Sequence, residues 1–449
     1  MKRLGLVIAV LMVIAIGLAA WLVFLPGPTA FAGSAVALAD YTDGKPTGVP
    51  KELAQASLIK RGEYLAHAAD CVACHTAPGG RAYAGGFAFN LPGMGTLYST
   101  NITPDKDTGI GNYTDQQFLN AVRRGIRRDG QRLYPAMSYT SYAAMTDDDA
   151  LAIKAYLFTL PAVHAPAKAN HLAWPFDNRV LMAAWDFLYA SDKRFQPSTS
   201  QSPEWNRGAY LAEALGHCGE CHTPRNLAFA MNNRRKYAGA LTAGWRAYNI
   251  TSDANSGLGS WSDADLYSYL STGHANGHGG AAGPMGEAED NSLTFLTPGD
   301  THALMVYLRS IPAQSSDPRT VDHPAPASYR DGVPADANVR GEKLFAGACA
   351  SCHDWTGVSP VTHYATLTGV RAVNDPSATN VAQTVINGVN RKTAQGPIYM
   401  PAFGEGYSDA DIAAISNYVT ARFGAKGANL TAKDVASLRK QAAQDNTTF

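Results

Sequence analysis

The apolar positions of this chain form one long unbroken run followed by a series of shorter periodic ones. The long run comes first: Lys2 and Arg3 precede Leu4 to Leu25, which carry no charge, and Pro26 closes the stretch. A cleaved export signal has an apolar core of about 7–15 residues, whereas a helix that crosses a bilayer needs about 20. The length therefore predicts a retained anchor over residues 1–26, with its basic end inside and the bulk of the chain outside. Cleavage after Ala30-Phe31-Ala32, a small-x-small pattern, is the competing reading.

Beyond this run the periodicity is helical and it repeats. Arg61-Gly62-Glu63-Tyr64-Leu65, Arg207-Gly208-Ala209-Tyr210-Leu211 and Arg340-Gly341-Glu342-Lys343-Leu344 each mark a short leading helix. Downstream, Tyr83-Ala84-Gly85-Gly86 answers Tyr237-Ala238-Gly239-Ala240, and Asn101-Ile102-Thr103 answers Asn249-Ile250-Thr251. Thr114-Asp115 and Ser262-Asp263 open further helices with a hydroxyl cap and an acidic first turn. Closing helices start at Thr146, Thr297 and Ser408. Ser191–Glu204 and the Pro-containing stretch Ala313–Asn338 read as connectors, and Ala432–Ala443 as one amphipathic helix in a tail that then frays. Helix pairs with long irregular loops between them describe small all-α domains, each wrapped round a cofactor.

One further stretch stands out. Trp174-Pro175-Phe176 leads into Val180–Tyr189, where apolar residues cover more than one helical face. Such a stripe is usually core. Trp and Tyr also favour membrane interfaces, so a membrane- or partner-facing surface is the second reading.

Length changes the picture next: 449 residues exceed one core and fit roughly three domains. Charge excludes more than it suggests. Lys plus Arg and Asp plus Glu are both 37, so no global charge calls for nucleic acid.

The chemistry lies in the cysteines. Cys-X-X-Cys-His occurs at Cys71, Cys74, His75, at Cys218, Cys221, His222 and at Cys349, Cys352, His353, and these motifs use all six cysteines. This is the attachment pattern of a c-type haem. On a helical turn, residues three and four apart share a face, so two thiols reach the two vinyl groups of one porphyrin while the next residue turns its imidazole onto the iron. Zinc or disulfides would account for one such motif, but not readily for three with no cysteine left over. Each motif follows a leading Arg by nine to eleven residues, so the count of three covalent haems agrees with the count of repeats. Covalent haem attachment takes place outside the cytoplasm, which agrees with export.

An iron that only carries electrons is six-coordinate and needs a second axial ligand. Methionine thioether suits reduced iron and raises the potential of cytochromes c. Met137, Met285 and Met400 each follow a Pro-marked segment and precede a closing helix. A lone methionine usually fills a core gap, but equivalent places in three repeats favour ligation. Met94, Met145 and Met231 fit the register less well. His274 or His278 would make the second haem bis-histidine, and His67, His217 and His363 read as surface or supporting residues.

These strings resemble the tri-haem cytochrome c subunit of bacterial membrane-bound dehydrogenases. The likeness runs from about Ile59 to the C-terminus. It includes Asp70-Cys71-Val72-Ala73-Cys74-His75-Thr76, Tyr98-Ser99-Thr100-Asn101-Ile102-Thr103-Pro104, Leu133-Tyr134-Pro135-Ala136-Met137 and Gly216-His217-Cys218-Gly219-Glu220-Cys221-His222-Thr223-Pro224-Arg225. The resemblance implies three tandem cytochrome c-like domains, at 55–190, 205–312 and 339–424, after the anchor and before the tail at 425–449. It also implies a bacterial inner-membrane protein facing the periplasm, passing electrons from a separate catalytic subunit through three haems to ubiquinone. The anchor resembles the aldehyde dehydrogenase branch, whose catalytic partners carry molybdopterin and iron–sulfur clusters; quinoprotein alcohol and flavoprotein gluconate or sorbitol dehydrogenases are the alternative partners. On this reading the chain has no catalytic residues of its own, though ubiquinone reduction could take place on it. A self-contained multihaem oxidoreductase such as a peroxidase would need an open iron site with acid–base groups beside it, and three matched methionines argue against that.

Overall fold

The computed structural model describes residues 2–24, 46–91, 93–315, 338–393, 396–425 and 427–445. The cleavage pattern at Ala30-Phe31-Ala32 and most of the connector Ala313–Asn338 lie outside them.

Each repeat begins where a polar side chain caps a leading helix. Ser57 caps Leu58–Ala68, Ser202 caps Pro203–Tyr210 and Asn338 caps Val339–Ala348. The closing helices Asp147–Leu157, Pro298–Ser310 and Asp409–Phe423 are capped by Thr146, Thr297 and Ser408, as expected. Leading and closing helices cross through the glycine of each Arg-Gly pair. A Cβ on Gly62 or Gly208 would lie 1.9 Å from the carbonyl oxygen of Ala152 or Ala303, and one on Gly341 2.4 Å from that of Ala414. The repeated glycine is therefore the point of closest backbone approach.

The repeats are not three equal bodies. One buried cluster joins Leu65, Ile153 and Leu157 of the first to Tyr210, Leu215, Leu304 and Leu308 of the second. The third repeat builds its own core from Phe345, Ile386, Ile412, Ile415 and Tyr418. Its cluster includes Val435 and Leu438 of helix Ala432–Asp445, so the expected tail is part of that core.

The all-helical expectation needs one correction. Small antiparallel sheets stand in the loops: Ala88–Leu91 with Gly95–Tyr98 and His171–Leu172, then the hairpins Ala240–Thr242/Trp245–Ala247, His274–Ala275/Gly279–Gly280 and Val389–Thr393/Gly396–Met400. Glycines at tight turns masked them in the sequence pattern.

The N-terminal expectation is corrected too. The backbone is helical over Lys2–Phe24, but among the described residues no helix is long and apolar enough to cross a membrane. The spanning anchor over Leu4–Leu25 is not carried by the described residues.

Candidate functional site

The three motifs sit on single helical turns, Cys71–Cys74, Gly219–His222 and Ala350–His353, each soon after its leading helix, the second across the π-helical turn Leu211–Leu215. In all three the imidazole Nδ1 is bound to a main-chain carbonyl: His75 to Thr100 at 2.7 Å, His222 to Tyr248 at 2.6 Å and His353 to Ala365 at 2.6 Å. A carbonyl only accepts, so Nδ1 carries the proton and Nε2 keeps its lone pair for a metal. Burial also lowers the pKa of each imidazole below its ordinary value, against the opposing effect of the carbonyl bond. A neutral, oriented imidazole is what an axial iron ligand requires.

The thiols fit the same use. All six cysteines are free. Burial pushes the Cys71 and Cys218 thiols up to about 12 and those of Cys221 and Cys349 to about 11. Among the described residues no three His, Cys, Asp or Glu side chains cluster as an ion site. A tetrahedral zinc site takes four such ligands, and the motifs lack the remaining ones. The residues present therefore fit a covalently attached haem at each motif.

The loops that present the carbonyls explain the longer repeat strings. Asn101 donates to the Val163 carbonyl at 2.7 Å and accepts from the Thr103 amide at 2.9 Å. Asn249 does the same with Gln314 at 2.6 Å and Thr251 at 2.8 Å. Each asparagine fixes the peptide next to the carbonyl that orients the histidine. The third unit reaches its acceptor 12 residues after the histidine rather than 25 or 26, through the short turn His363–Ala365.

Met137 lies in a turn and packs against the shared core. Met285 is the second residue of helix Pro284–Asn291, and Met400 ends the strand Gly396–Met400 beside the third core. The last two segments are thus regular rather than irregular. All three methionines are half-buried, whereas Met145 is fully enclosed in the core, and Met231 packs its sulfur against Gly219. Met94 lies beside its hairpin, with its carbonyl accepting from Ala173.

His274 is buried and packs on His363 and Tyr364; burial and its cationic neighbours lower it to about 4. His278 stacks on Trp261 with ring centroids 3.7 Å apart. His67 stacks on Phe295 of the second unit, and His217 meets Tyr142 of the first edge-on. The last two are interface residues, a role the sequence reading did not separate from surface.

The second motif meets the first unit directly. Glu220, inside the second motif, accepts from Thr140 and Ser141 of the first unit, both at 3.0 Å, and from Arg225 at 2.6 Å. Tyr142 donates to the carbonyl of Ala69, two residues before Cys71, at 2.6 Å. Behind them the two units trade equivalent bonds. Tyr64 donates to Asp300 at 2.5 Å and Tyr210 to Asp149 at 2.6 Å, while Arg207 holds Asp300 through two nitrogens at 2.7 and 2.6 Å. Sequence reasoning missed this exchange, although its signal was present: a Tyr at the same place in two leading helices, and an Asp at the third position of each closing helix.

Comparison with known proteins agrees with this chemistry. Residues 59–161 match the family Cytochrome c, and residues 336–419 match Cytochrome C oxidase, cbb3-type, subunit III. The fructose dehydrogenase cytochrome subunit of Gluconobacter japonicus is 42% identical over 419 residues, covering 88% of this chain and 85% of that one. The gluconate 2-dehydrogenase cytochrome c subunit of Pantoea cypripedii is 40% identical over 406 residues, 86% of this chain and 90% of the other. The cytochrome c subunit of the quinone-type alcohol dehydrogenase of Gluconobacter oxydans is 35% identical over 413 residues, 88% and 84% of the two chains.

Proposed function

The chain belongs to the cytochrome c subunits of dehydrogenases, and from that premise we propose that it conducts electrons from a catalytic subunit, through three covalently bound haem c groups, to ubiquinone at the periplasmic face of the bacterial inner membrane. The observation that carries this reading is the threefold repetition of one arrangement, a CxxCH turn whose histidine is aimed by a main-chain carbonyl. Haem, when bound, supplies a one-electron couple. The chain does the rest. Cys71 and Cys74, Cys218 and Cys221, and Cys349 and Cys352 would attach the three groups, and His75, His222 and His353 with Met137, Met285 and Met400 would ligate their irons. Three methionine candidates favour carriage of electrons over substrate chemistry on this chain.

The preference for an aldehyde-oxidising, molybdopterin-bearing partner rested on a retained anchor. Without a spanning helix among the described residues that preference loses its ground. Similarity to fructose and gluconate dehydrogenase subunits favours a partner that oxidises a sugar or sugar acid.

Contact with the membrane is supported by helix Val180–Tyr189, which is inside out. Its acid, Asp186, is buried on Arg132 at 2.6 Å and Tyr139 at 2.7 Å, while Val180, Phe187 and Leu188 face outward. Trp174, Leu227 and Phe229 extend the exposed apolar patch. An apolar face carrying aromatic rings suits the headgroup boundary of a lipid bilayer, where a quinone acceptor is dissolved.

The test is purification in detergent, with identification of the co-purifying subunits and a pyridine haemochrome count on the denatured chain. A dehydrogenase catalytic subunit and three haems per chain are expected. Two haems or fewer from a host competent in haem attachment would refute the reading. The double variant Phe187→Ser, Leu188→Ser should keep dye reduction by the complex and lose much of its ubiquinone reduction in liposomes.

A further inference from the structure

The carbonyl that aims His222 belongs to Tyr248, and a charge from the third unit stands against it. Arg371, the first residue of the turn Arg371–Asn374, lays its guanidinium over the Tyr248 ring at 4.4 Å. It donates to the carbonyl of Asn249 at 3.4 Å, one peptide beyond the His222 acceptor, and also to that of Ser256. Its own amide is bound to the carbonyl of His278 at 3.3 Å, so the turn is fixed to the second unit from both ends. Part of the side chain's surface is open, yet it lies deep in the protein, and that burial pushes the guanidinium down to about 10, still charged at neutral pH.

Neighbouring charges do not cancel it. Asp375 lies 3.3 Å from Arg246 and accepts from the Tyr248 hydroxyl at 3.3 Å. The carboxylate is thus paired with Arg246, and the positive charge of Arg371 remains. An iron that accepts an electron loses one positive charge, so a fixed cation nearby favours the reduced form, and more so where the surroundings screen poorly.

We propose that Arg371 is a positioning residue through which the docked third unit raises the reduction potential of the haem held by His222. The inference rests on the reading of His222 as an iron ligand.

Spectroelectrochemical titration of the whole holoprotein tests it. In Arg371→Gln one of the three one-electron components should move down while the other two stay. At its former midpoint that haem's reduced-to-oxidised ratio should fall about tenfold, equivalent to about 59 mV for a one-electron couple. Arg371→Lys keeps the charge and loses the ring stacking and forked geometry, so it should hold the component near its original place. Asp375→Asn should move the same component up. An unmoved titration in Arg371→Gln, or an equal drop in Arg371→Lys, would overturn the proposal. If Arg371→Gln does not fold, Asp375→Asn decides, and no upward shift there refutes it. A wild-type haemochrome count below three would instead strike the ligand assignment, and this inference with it.

Discussion

The second and third repeats use the same two residues in opposite ways. In both, the arginine of the leading helix binds the aspartate at the third position of the closing helix. Arg207 and Asp300 are 5% and 3% exposed, with Tyr64 of the first repeat completing the site. In the third repeat Arg340 is 61% exposed and Asp411 17%, and among the described residues no other unit reaches them. The difference traces to one position. Tyr64 and Tyr210 reach into each other's partner unit, and Lys343 stands at their place in the third. A lysine there is rarely buried without a counter-charge, so the third unit keeps this face outward. It docks instead through a polar seam, where Arg391 binds Asp290 at 2.7 Å and Arg371 and Asp375 meet Tyr248. One helix-pair design thus yields a fused pair and a separately cored neighbour.

The strongest test of this contrast is the pair of glycines. Gly208→Ala places a Cβ 1.9 Å from a backbone oxygen that cannot yield. The cost should be about 3 kcal/mol or more, with loss of the joint unfolding transition of the first two units. Gly341→Ala should remove only the third unit's transition, and calorimetry on both variants separates the outcomes. If the first unit still melted normally in Gly208→Ala, the shared core would not behave as one body. Next in size is Asp300→Asn, which strands the buried Arg207 and should cost about 3–5 kcal/mol. Asp411→Asn at the equivalent exposed pair should cost no more than about 1 kcal/mol by urea denaturation.

Tyr64→Phe removes only a hydroxyl, and losing a hydrogen bond to a carboxylate should cost about 1.5–3 kcal/mol. Lys343→Tyr should leave the third unit's stability nearly unchanged, since no partner faces it. The smallest effect concerns the edge of the seam. Glu289 is fully buried with both carboxyl oxygens unpartnered, and burial raises its pKa well above the usual range. The folded state then holds a proton that the unfolded state releases, so its contribution is complete below the unfolded value near 4.3 and is lost as pH rises toward the folded one. Relative to wild type, Glu289→Gln should flatten the fall of stability with pH. The difference should not exceed about 1.4 kcal/mol per pH unit, the most that one proton gives.

Much of this was legible in the residues. Caps at Thr114, Thr146, Ser262, Thr297 and Ser408 are local signals, and each opens its helix where the sequence places it. The CxxCH turns are local too. What could not be read was pairing across distance. The partner of Tyr64 lies 236 residues away, and nothing in the periodicity of either helix points to it. The hairpin leading to Met400 was hidden because Gly388 and Gly396, both at positive φ, interrupt the pattern that would mark strands. Helix Val180–Tyr189 misled for a different reason. Its apolar residues read as core, and only the burial of Asp186 shows which way it faces.

The bond between Tyr64 and Asp300 also has a consequence in time. A chain synthesised from its N-terminus delivers the first leading helix long before the residue that completes it. Until the second closing helix arrives, Leu65, Tyr64 and their neighbours have only half of their final surroundings, and an unfinished apolar face is prone to wrong association. The third unit's delay is shorter, since its core from Phe345 to Leu438 closes within less than half the separation of Tyr64 and Asp300. On the proposed function, haem attachment at Cys71 and Cys74 would act on a unit still waiting for its other half, whereas at Cys349 and Cys352 the surrounding fold would need less further chain to finish.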